Sequence, residues 1–533
     1  MSKSKLLGLS LLSGLLFSLP WFKSFSGIII CFAFIPLLII EDFFYKTKHI
    51  NSVYTFINYS FISFLLWNIA TTYWISNVTL IGAISAIMVN TTFMCIVLSL
   101  FHLTKRVLGN NIGNLSFIVY WIGFEYCYLN AEISWPWLNL GNAFAKNIYL
   151  IQWYEYTGAL GGTLWVLCLN FFLFKIIKTR KFDLVKTSLY IIFFILPIFI
   201  SIYIFNNYKE KENKCEIAII QPNIDPFNDK FNKENEKDQI QTILNLAQDV
   251  VTPNTQYIIT PETSLSNPVW EQNLRTNASI RQFSHFINIH PNVHFIIGLN
   301  SFVQYQANEK PSFTARFNKE QNFYYDAYNT ALQIDSSLQF PIYHKSKLVI
   351  GVEKMPFVKY FSFLDKLSIK LGGISGSLGI QDSCKNFNHH SNKISIAPVI
   401  CYESIYGEYV SKYVKKGANF IFIITNDGWF GNTIGHKQHF NYSKLRAIET
   451  RRSIARCANT GISAFINQRG ETLEKTNWWT RKAIRQDLKP NTKITFYTQH
   501  GNYIGRIAIF LSIILGLYLL SKYLISVYNR NIS

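Results

Sequence analysis

Charge is scarce in this 533-residue chain: Asp, Glu, Lys and Arg together make 15% of it, against about 25% in an average globular domain. No G-x-G-x-x-G or P-loop follows any strand-like run, so nucleotide binding has no support. No C-x-x-C spacing occurs among the eight cysteines, so neither a zinc site nor a redox pair is indicated. Internal repeats and low-complexity tracts are missing as well. The formal net charge is +20, yet no basic tract concentrates it. Nucleic acid is therefore a poor partner, and anionic lipid headgroups suit the charge better. What the chain has in plenty is apolar surface, with 49% hydrophobic residues and 16% aromatics.

The scarcity of charge is uneven. Residues 1–206 hold 13 Lys/Arg and 6 Asp/Glu, about 9%, whereas 207–503 hold 35 and 25, about 20%. The first part reads as membrane and the second as a soluble domain, which excludes a cytosolic enzyme, a disordered chain and a disulfide-stapled miniature. A helix needs about 20 apolar residues to cross a bilayer. Spans are expected near 5–22, 24–41, 53–76, 78–103, 113–129, 158–177 and 187–206, with an eighth at 504–527. The domains expected are thus 1–206, a seven-span bundle; 207–503, the soluble domain, entered through the polar linker 207–214; and 504–533, a last span and tail. Lys3 and Lys5 before the first run resemble a signal peptide, but a second span follows at once, so a retained anchor is expected. With the N-terminus in the cytoplasm, thirteen basic residues of the short segments fall inside and three (Lys23, Lys146 and Arg506) outside. That bias places 207–503 on the outer face of the membrane.

Within 207–503, strands are expected at Cys215–Gln221, Tyr257–Thr260, His294–Asn300, Thr330–Ile334, Ile394–Cys401, Asn419–Thr425 and Ile462–Asn467, all rich in Ile, Val and Phe. Helical periodicity appears at 234–251 and over 437–458. The alternation predicts an α/β sandwich.

Three places carry chemistry. Glu262, just past a buried strand in Thr260-Pro261-Glu262, is placed to act as a general base. Lys345, in Tyr343-His-Lys345, supplies a positive charge where an oxyanion develops. Cys401 ends an apolar strand and opens a turn into a helix, a setting that favours a thiolate nucleophile. Each has a plainer alternative: a surface acid, a solvated lysine, a buried structural cysteine. The domain's other cysteines are Cys215, Cys384 and Cys457, and their pairing stays open. His436 and His439 read as surface or cleft residues rather than metal ligands.

The ordered trio Glu262, Lys345 and Cys401 resembles the nitrilase (carbon–nitrogen hydrolase) superfamily. Further matching stretches are Gln221-Pro-Asn223, Tyr328-Asn329-Thr330, Cys401-Tyr402-Glu403 and Thr425-Asn426-Asp427-Gly428-Trp429-Phe430-Gly431. The resemblance implies an α-β-β-α sandwich and a Glu–Lys–Cys triad. The spans on either side make the chain similar to the apolipoprotein N-acyltransferases, whose segment around the fifth span is matched by Trp121, Glu125, Trp135-Pro136-Trp137 and Leu140-Gly141. Their Pro-Phe-Gly-Glu is replaced here by Ile350-Gly351-Val352-Glu353. This likeness implies a ping-pong transfer from a membrane phospholipid, through a Cys401 thioester, to the N-terminal S-diacylglyceryl cysteine of an apolipoprotein, in a bacterial inner membrane with the catalytic domain on the periplasmic side. Glu353 and Glu403 would then orient Lys345 and the base, and Asn329, Tyr402 and Trp429 would line the substrate pocket. No metal or cofactor is implied. Two rivals are a tethered amidase using water as acceptor and a non-catalytic transporter or scaffold. Finally, 355–380 mixes aromatics with lysines and predicts a membrane-contacting lid carrying Phe357, Phe361 and Phe363.

Overall fold

The computed structural model describes residues 1–47, 53–179, 183–211, 213–361, 376–389 and 393–532. The chain divides into two compact units, Met1–Asn207 with His500–Ser533, and Tyr208–Gln499.

The first unit is helical: α1 (Lys3–Ser18), α2 (Ile35–Lys46), α3 (Val53–Thr72), α4 (Leu80–Leu108), α5 (Asn110–Asn130), α6 (Tyr154–Thr179), α7 (Leu184–Asn207) and the C-terminal helix Tyr503–Ile532. Helices thus occupy all eight places read as spans. Six helical stretches among the described residues are long and apolar enough to cross a membrane. The remaining two, α3 and α5, have 20 and 21 residues. Their polar groups turn inward. Ser63 Oγ on α3 donates to Ser10 O at 2.8 Å, and Asn90 Nδ2 donates to Asn68 Oδ1 at 2.7 Å. In hydrocarbon, such groups must find partners within the protein.

Glu125 on α5 shows the same rule at higher stakes. Its carboxylate accepts from Trp121 Nε1 at 3.1 Å, the Leu140 backbone N–H at 2.8 Å and Thr163 Oγ1 at 2.7 Å. An acid buried in a bundle is costly unless so satisfied. Glu41 is buried likewise, 2.9 Å from His102 Nδ1 and hydrogen-bonded by Lys105.

The second unit contains two sheets. In chain order its strands are β1 (Cys215–Gln221), β2 (Thr255–Ile259), β3 (Val269–Trp270), β4 (His294–Gln304), β5 (Arg316–Asn318), β6 (Phe323–Ile334) and β7 (Ile342–His344). There follow β8 (Phe387–Asn388), β9 (Ser395–Ile400), β10 (Phe420–Thr425), β11 (Ser453–Ala458), β12 (Ala464–Ile466), β13 (Thr472–Lys475) and β14 (Lys482–Leu488). The first sheet runs β14-β1-β2-β4-β6-β5, with β3 on β4 and β7 on β6; the second runs β13-β12-β11-β10-β9-β8. Parallel pairing holds for β1, β2 and β4, and for β9, β10 and β11.

Helices α8 (Glu236–Val250) and α9 (Ala278–Ile289) cover the first sheet, burying Ile240, Ile243, Phe283 and Ile287 against Ile220, Ile258 and Phe295. The other faces of the two sheets meet each other: the Tyr257 and Phe422 rings lie 5.2 Å apart, and Cys457 Sγ reaches Ile220 O at 3.1 Å. Helices α10 (Gly407–Lys415) and α11 (Ile434–Thr450) flank the second sheet at β9 and β11. The layers are therefore α-β-β-α, and the predicted sandwich is present.

One expectation fails. The periodicity over 437–458 predicted a single helix, but α11 stops at Thr450 and the chain re-enters the sheet as β11. Arg451 takes the left-handed conformation, φ 50°, which ends the helix. All six β11 residues are buried between β10 and β12. Arg452, within the range read as helical, instead donates from Nε to Ala418 O at 2.6 Å.

Candidate active site

Three strands of the second unit end at the residues singled out by the sequence. Glu262 follows β2, Lys345 follows β7, and Cys401 follows β9. Strand ends in an α/β fold leave side chains at the sheet edge while the backbone behind them stays hydrogen-bonded.

Each position is held locally. A Cβ on Gly298 of β4 would come within 2.4 Å of Pro261 O and 2.6 Å of Glu262 Cα, so only glycine lets this loop approach β4. Cys401 has φ 49°, a sharp turn between the strand and the short 3-10 helix Cys401–Ile405. Strain of this kind is tolerated where the surroundings fix it. Here Glu403 Oε2 accepts from Ile400 N at 2.9 Å, and Ser404 Oγ donates to Cys401 O at 2.7 Å.

The three side chains converge with others in a buried polar cluster. Lys345 Nζ donates to Glu262 Oε1 at 2.9 Å and to Glu353 Oε1 at 2.8 Å. Asn329 Nδ2 bridges the same two oxygens at 2.7 and 2.8 Å, so its amide nitrogen is engaged by the carboxylates. Glu262 Oε2 accepts from the Asn426 backbone N–H at 3.1 Å. The altered Ile350-Gly351-Val352-Glu353 loop folds as a turn, with Gly351 at φ 82° and Glu353 Oε2 accepting from Val349 N at 2.8 Å. It still delivers Glu353 to the lysine.

Glu403 touches the lysine's neighbours instead of the ammonium. Its Oε1 accepts from Tyr343 Oη at 2.5 Å and Ser346 N at 2.7 Å. It therefore ties the lysine loop to the cysteine turn.

Electrostatics follow from these contacts. Burial alone would raise the pKa of Glu262, but Lys345, Asn329 and Lys230 outweigh it and hold the carboxyl below its ordinary value. Burial would lower Lys345, but Glu262 and Glu353 push it well above the ordinary lysine value. Burial and the Glu262 charge raise the Cys401 thiol, against the pull of Lys345. The resting site is thus an ionised base, a charged lysine and a neutral thiol. Burial lifts Glu403 to about 7, against the hydrogen bonds from Tyr343 and the Ile400 and Ser346 backbone.

Sequence reasoning missed a second network behind the cysteine. Thr425 Oγ1 lies 3.2 Å from Cys401 Sγ and 2.8 Å from Asp427 Oδ1. His439, read as a surface or cleft residue, is 1% exposed, as is His436. Its Nδ1 is 2.8 Å from Asp427 Oδ1, and its Nε2 is 3.0 Å from Ser404 Oγ and 3.3 Å from Cys401 O. Arg456 Nη2 binds Asp427 Oδ2 at 2.6 Å. Cys401, Asp427 and His439 offer ligand atoms within 4.8 Å of one another. Arg456 already neutralises Asp427 and would oppose a metal ion there, so the group is a hydrogen-bond network supporting the cysteine turn. The signal that could have found it is the polar face of α11, where His436, Gln438, His439, Arg446 and Glu449 are all buried.

Of the other candidates, Tyr402 is buried edge-on to Tyr406, 5.4 Å between rings. Trp429 is half-buried among Phe227 and Phe231, at 4.9 and 6.2 Å. Phe357 and Phe361 are 40% and 53% exposed; Phe363 and the stretch 362–375 lie outside the described residues. Cys215, Cys384, Cys401 and Cys457 are all free thiols.

The sandwich with Glu, Lys and Cys at its strand ends is that of a carbon-nitrogen hydrolase: the family model for carbon-nitrogen hydrolase matches residues 216–493. The model for the apolipoprotein N-acyltransferase N-terminal domain matches residues 13–172. The chain belongs to the carbon–nitrogen hydrolase family, in the branch that carries this membrane domain. It is 28% identical to the apolipoprotein N-acyltransferase of Chlorobaculum tepidum over 96% of each chain, and 25% identical to that of Wigglesworthia glossinidia brevipalpis over 73% of each. Among solved structures it is similar to Saccharomyces cerevisiae Nit3, a member of branch 10 of the nitrilase superfamily. The likeness has 15% identity and a TM-score of 0.36, covering 53% of this chain and 93% of that one.

Proposed function

We propose that this protein transfers an acyl chain from a membrane phospholipid to the α-amino group of the N-terminal S-diacylglyceryl cysteine of apolipoproteins, by way of a thioester on Cys401. The observation that carries the reading is the convergence of Glu262, Lys345 and Glu353 beside Cys401, in a chain whose other unit holds, among the described residues, six helices long and apolar enough to cross a membrane.

Glu262 takes the proton from Cys401 Sγ as sulfur attacks the ester carbonyl carbon. Because the thiol is neutral at rest and the base is ionised, proton transfer and attack run together. The negative charge that develops on the carbonyl oxygen faces the Lys345 ammonium and backbone N–H groups. Collapse breaks the acyl C–O bond, Glu262 returns its proton to the leaving oxygen, and a lysophospholipid departs. The α-amino nitrogen of the lipopeptide then attacks the thioester and yields a proton to Glu262. The C–S bond breaks and that proton restores the thiol. Glu353 holds Lys345, and Glu403 holds the two loops in register. The lipid donor and lipoprotein acceptor belong to a bacterial inner membrane. The thirteen-to-three bias of basic residues supports a second unit on the periplasmic side.

The test is incubation of purified protein with radiolabelled phospholipid, followed by peptide mass spectrometry and addition of a synthetic diacylglyceryl lipopeptide. Label on Cys401 that passes to the peptide amine is expected. Release of free fatty acid without amide formation would instead make it a hydrolase, and absence of label from Cys401 would refute the thioester.

A further inference from the structure

Charge around the base does not balance on Lys345 alone. One ammonium is divided between two carboxylates, Glu262 and Glu353, in a site where all three are buried or nearly so. An uncompensated buried carboxylate is strongly disfavoured. A second cation lies close by. Lys230, in the turn between β1 and α8, is 2% exposed and donates from Nζ to the main-chain O of Glu262 at 2.8 Å. In the orientation that satisfies its neighbours, the Asn426 amide oxygen accepts from Lys230 Nζ at 3.1 Å and from Trp429 Nε1 at 3.2 Å. Asn426 is also the residue whose backbone N–H donates to Glu262 Oε2. Lys230 therefore grips both segments that clamp the carboxylate, while Thr263, next in the chain, holds φ 49°.

We propose that Lys230 is a positioning residue for the general base: its ammonium fixes the Glu262 peptide and the Asn426 segment and supplies the second positive charge that keeps Glu262 ionised. The proposal rests on the reading of Glu262 as the base for Cys401. Burial brings the Lys230 pKa down to about 7, against the opposing pull of Glu262 after β2, Cys401 after β9 and Cys457 on β11. Glu262 itself faces Lys345, Asn329, Lys230 and Cys401. Below about pH 7 Lys230 is charged, which covers the acidic range in which Glu262 would otherwise take up a proton. Above it, the neutral amine keeps its hydrogen bonds, and Glu262 no longer needs the help.

The test reads the base without any lipid. Full-length protein in detergent is treated with iodoacetamide from about pH 4 to about pH 9, and the rate at the Cys401 peptide is followed by mass spectrometry. Lys230→Gln keeps N–H donors and loses the charge; Lys230→Arg keeps the charge. The acid limb of the Lys230→Gln profile should move up by about one unit, leaving alkylation about tenfold slower at the acid end, while Lys230→Arg keeps the wild-type limb. A uniformly slower Lys230→Gln profile with an unmoved limb overturns the electrostatic role, as does an Arg variant that behaves like Gln. Lys230→Met adds loss of the donors; if it fails to fold by thermal melting, the Gln and Arg pair still decides. A wild-type Cys401 with no acid limb would overturn the assignment of Glu262 as base, and this inference with it.

Discussion

Two carboxylates, one in each unit, are buried to similar degrees and do different work. Glu125 in the helical unit is 2% exposed and Glu262 in the sandwich is 6% exposed. Glu125 accepts from an indole, a backbone amide and a hydroxyl, all neutral. Glu262 accepts from an ammonium, a side-chain amide and a backbone amide, with Lys230 on its own carbonyl. Neutral donors anchored on three elements fix a loop in place, here Leu140 and the Trp135-Pro136-Trp137 turn before it. In the proposed mechanism, ammonium partners hold the charge of a group that must give and take protons. Burial is common to both, so burial alone does not mark a catalytic acid; nor does a cationic partner alone, since buried Glu41 is paired with Lys105 and buried Asp427 with Arg456.

The largest test of that contrast is loss of the cysteine the base serves. Cys401→Ala should insert and melt like wild type yet form no labelled acyl-enzyme, with turnover down by on the order of 10⁴-fold or more, as nucleophile removal elsewhere produces. Near-normal turnover in a folded Cys401→Ala protein would end the mechanism and the comparison together.

Next in size are Glu262→Gln and Lys345→Met, each expected to slow acylation by about 10²–10⁴-fold through different steps. Glu262→Gln leaves the thiol without its base, so acylation should recover in part as pH rises. Lys345→Met removes charge from the oxyanion, and higher pH should not restore it. Equal recovery in pre-steady-state acylation assays would mean that the two roles are misassigned.

Glu125→Gln should do much less. An amide keeps an acceptor for Trp121 and Leu140 but turns an N–H₂ toward Thr163, whose hydroxyl also accepts from Gly141 N at 3.1 Å. A stability loss of about 1–3 kcal/mol is expected, read as a lower melting temperature in detergent, with turnover per folded molecule unchanged. A folded Glu125→Gln enzyme that has lost acyl transfer would erase the distinction between the two carboxylates.

Glu262 and Cys401 were legible because each follows a recognisable apolar strand, Tyr257-Ile-Ile and Pro398-Val-Ile; Lys345 follows the short Ile342-Tyr-His344, which no strand pattern marked, and stood out only through the resemblance. It also carried the spans, since apolar length is a property of composition. It did not carry β11, because Ser453-Ile-Ala-Arg-Cys-Ala458 has too little β-branched content to break a helical count, and the break depends on Arg451 adopting φ 50° under tertiary constraint. Nor did it show the network of Asp427, His439 and Arg456. Those residues are polar in type and buried only because the chain between Asp427 and Arg456, 29 positions apart, folds back on the cysteine turn. Lys230 was hidden for the same reason, lying in a charged stretch that reads as surface.

The smallest effect belongs to a third carboxylate, which sharpens the contrast because it has only neutral donors and yet lies within the catalytic cluster. Glu403 is held by Tyr343 Oη and three backbone amides, those of Ile400, Ser346 and Lys347. By the rule drawn from Glu125, it should serve structure rather than proton transfer. Burial raises its folded pKa from 4.5 to about 7. The unfolded chain therefore releases this proton at lower pH than the folded protein does. Its contribution to stability is fully present below about pH 4.5 and is lost as pH rises through about 7. Glu403→Gln cannot ionise, so the variant should flatten this part of the stability profile: melting temperature should change less between about pH 4.5 and about pH 7 than in wild type. The Tyr343 hydroxyl and the three backbone amides also lose a charged acceptor, so a modest loss of stability of about 1–2 kcal/mol is expected at neutral pH. The acid limb of Cys401 alkylation should stay where it is. A shift of that limb in Glu403→Gln would place Glu403 among the groups that set the proton balance of the base, and the division by partner charge would no longer hold.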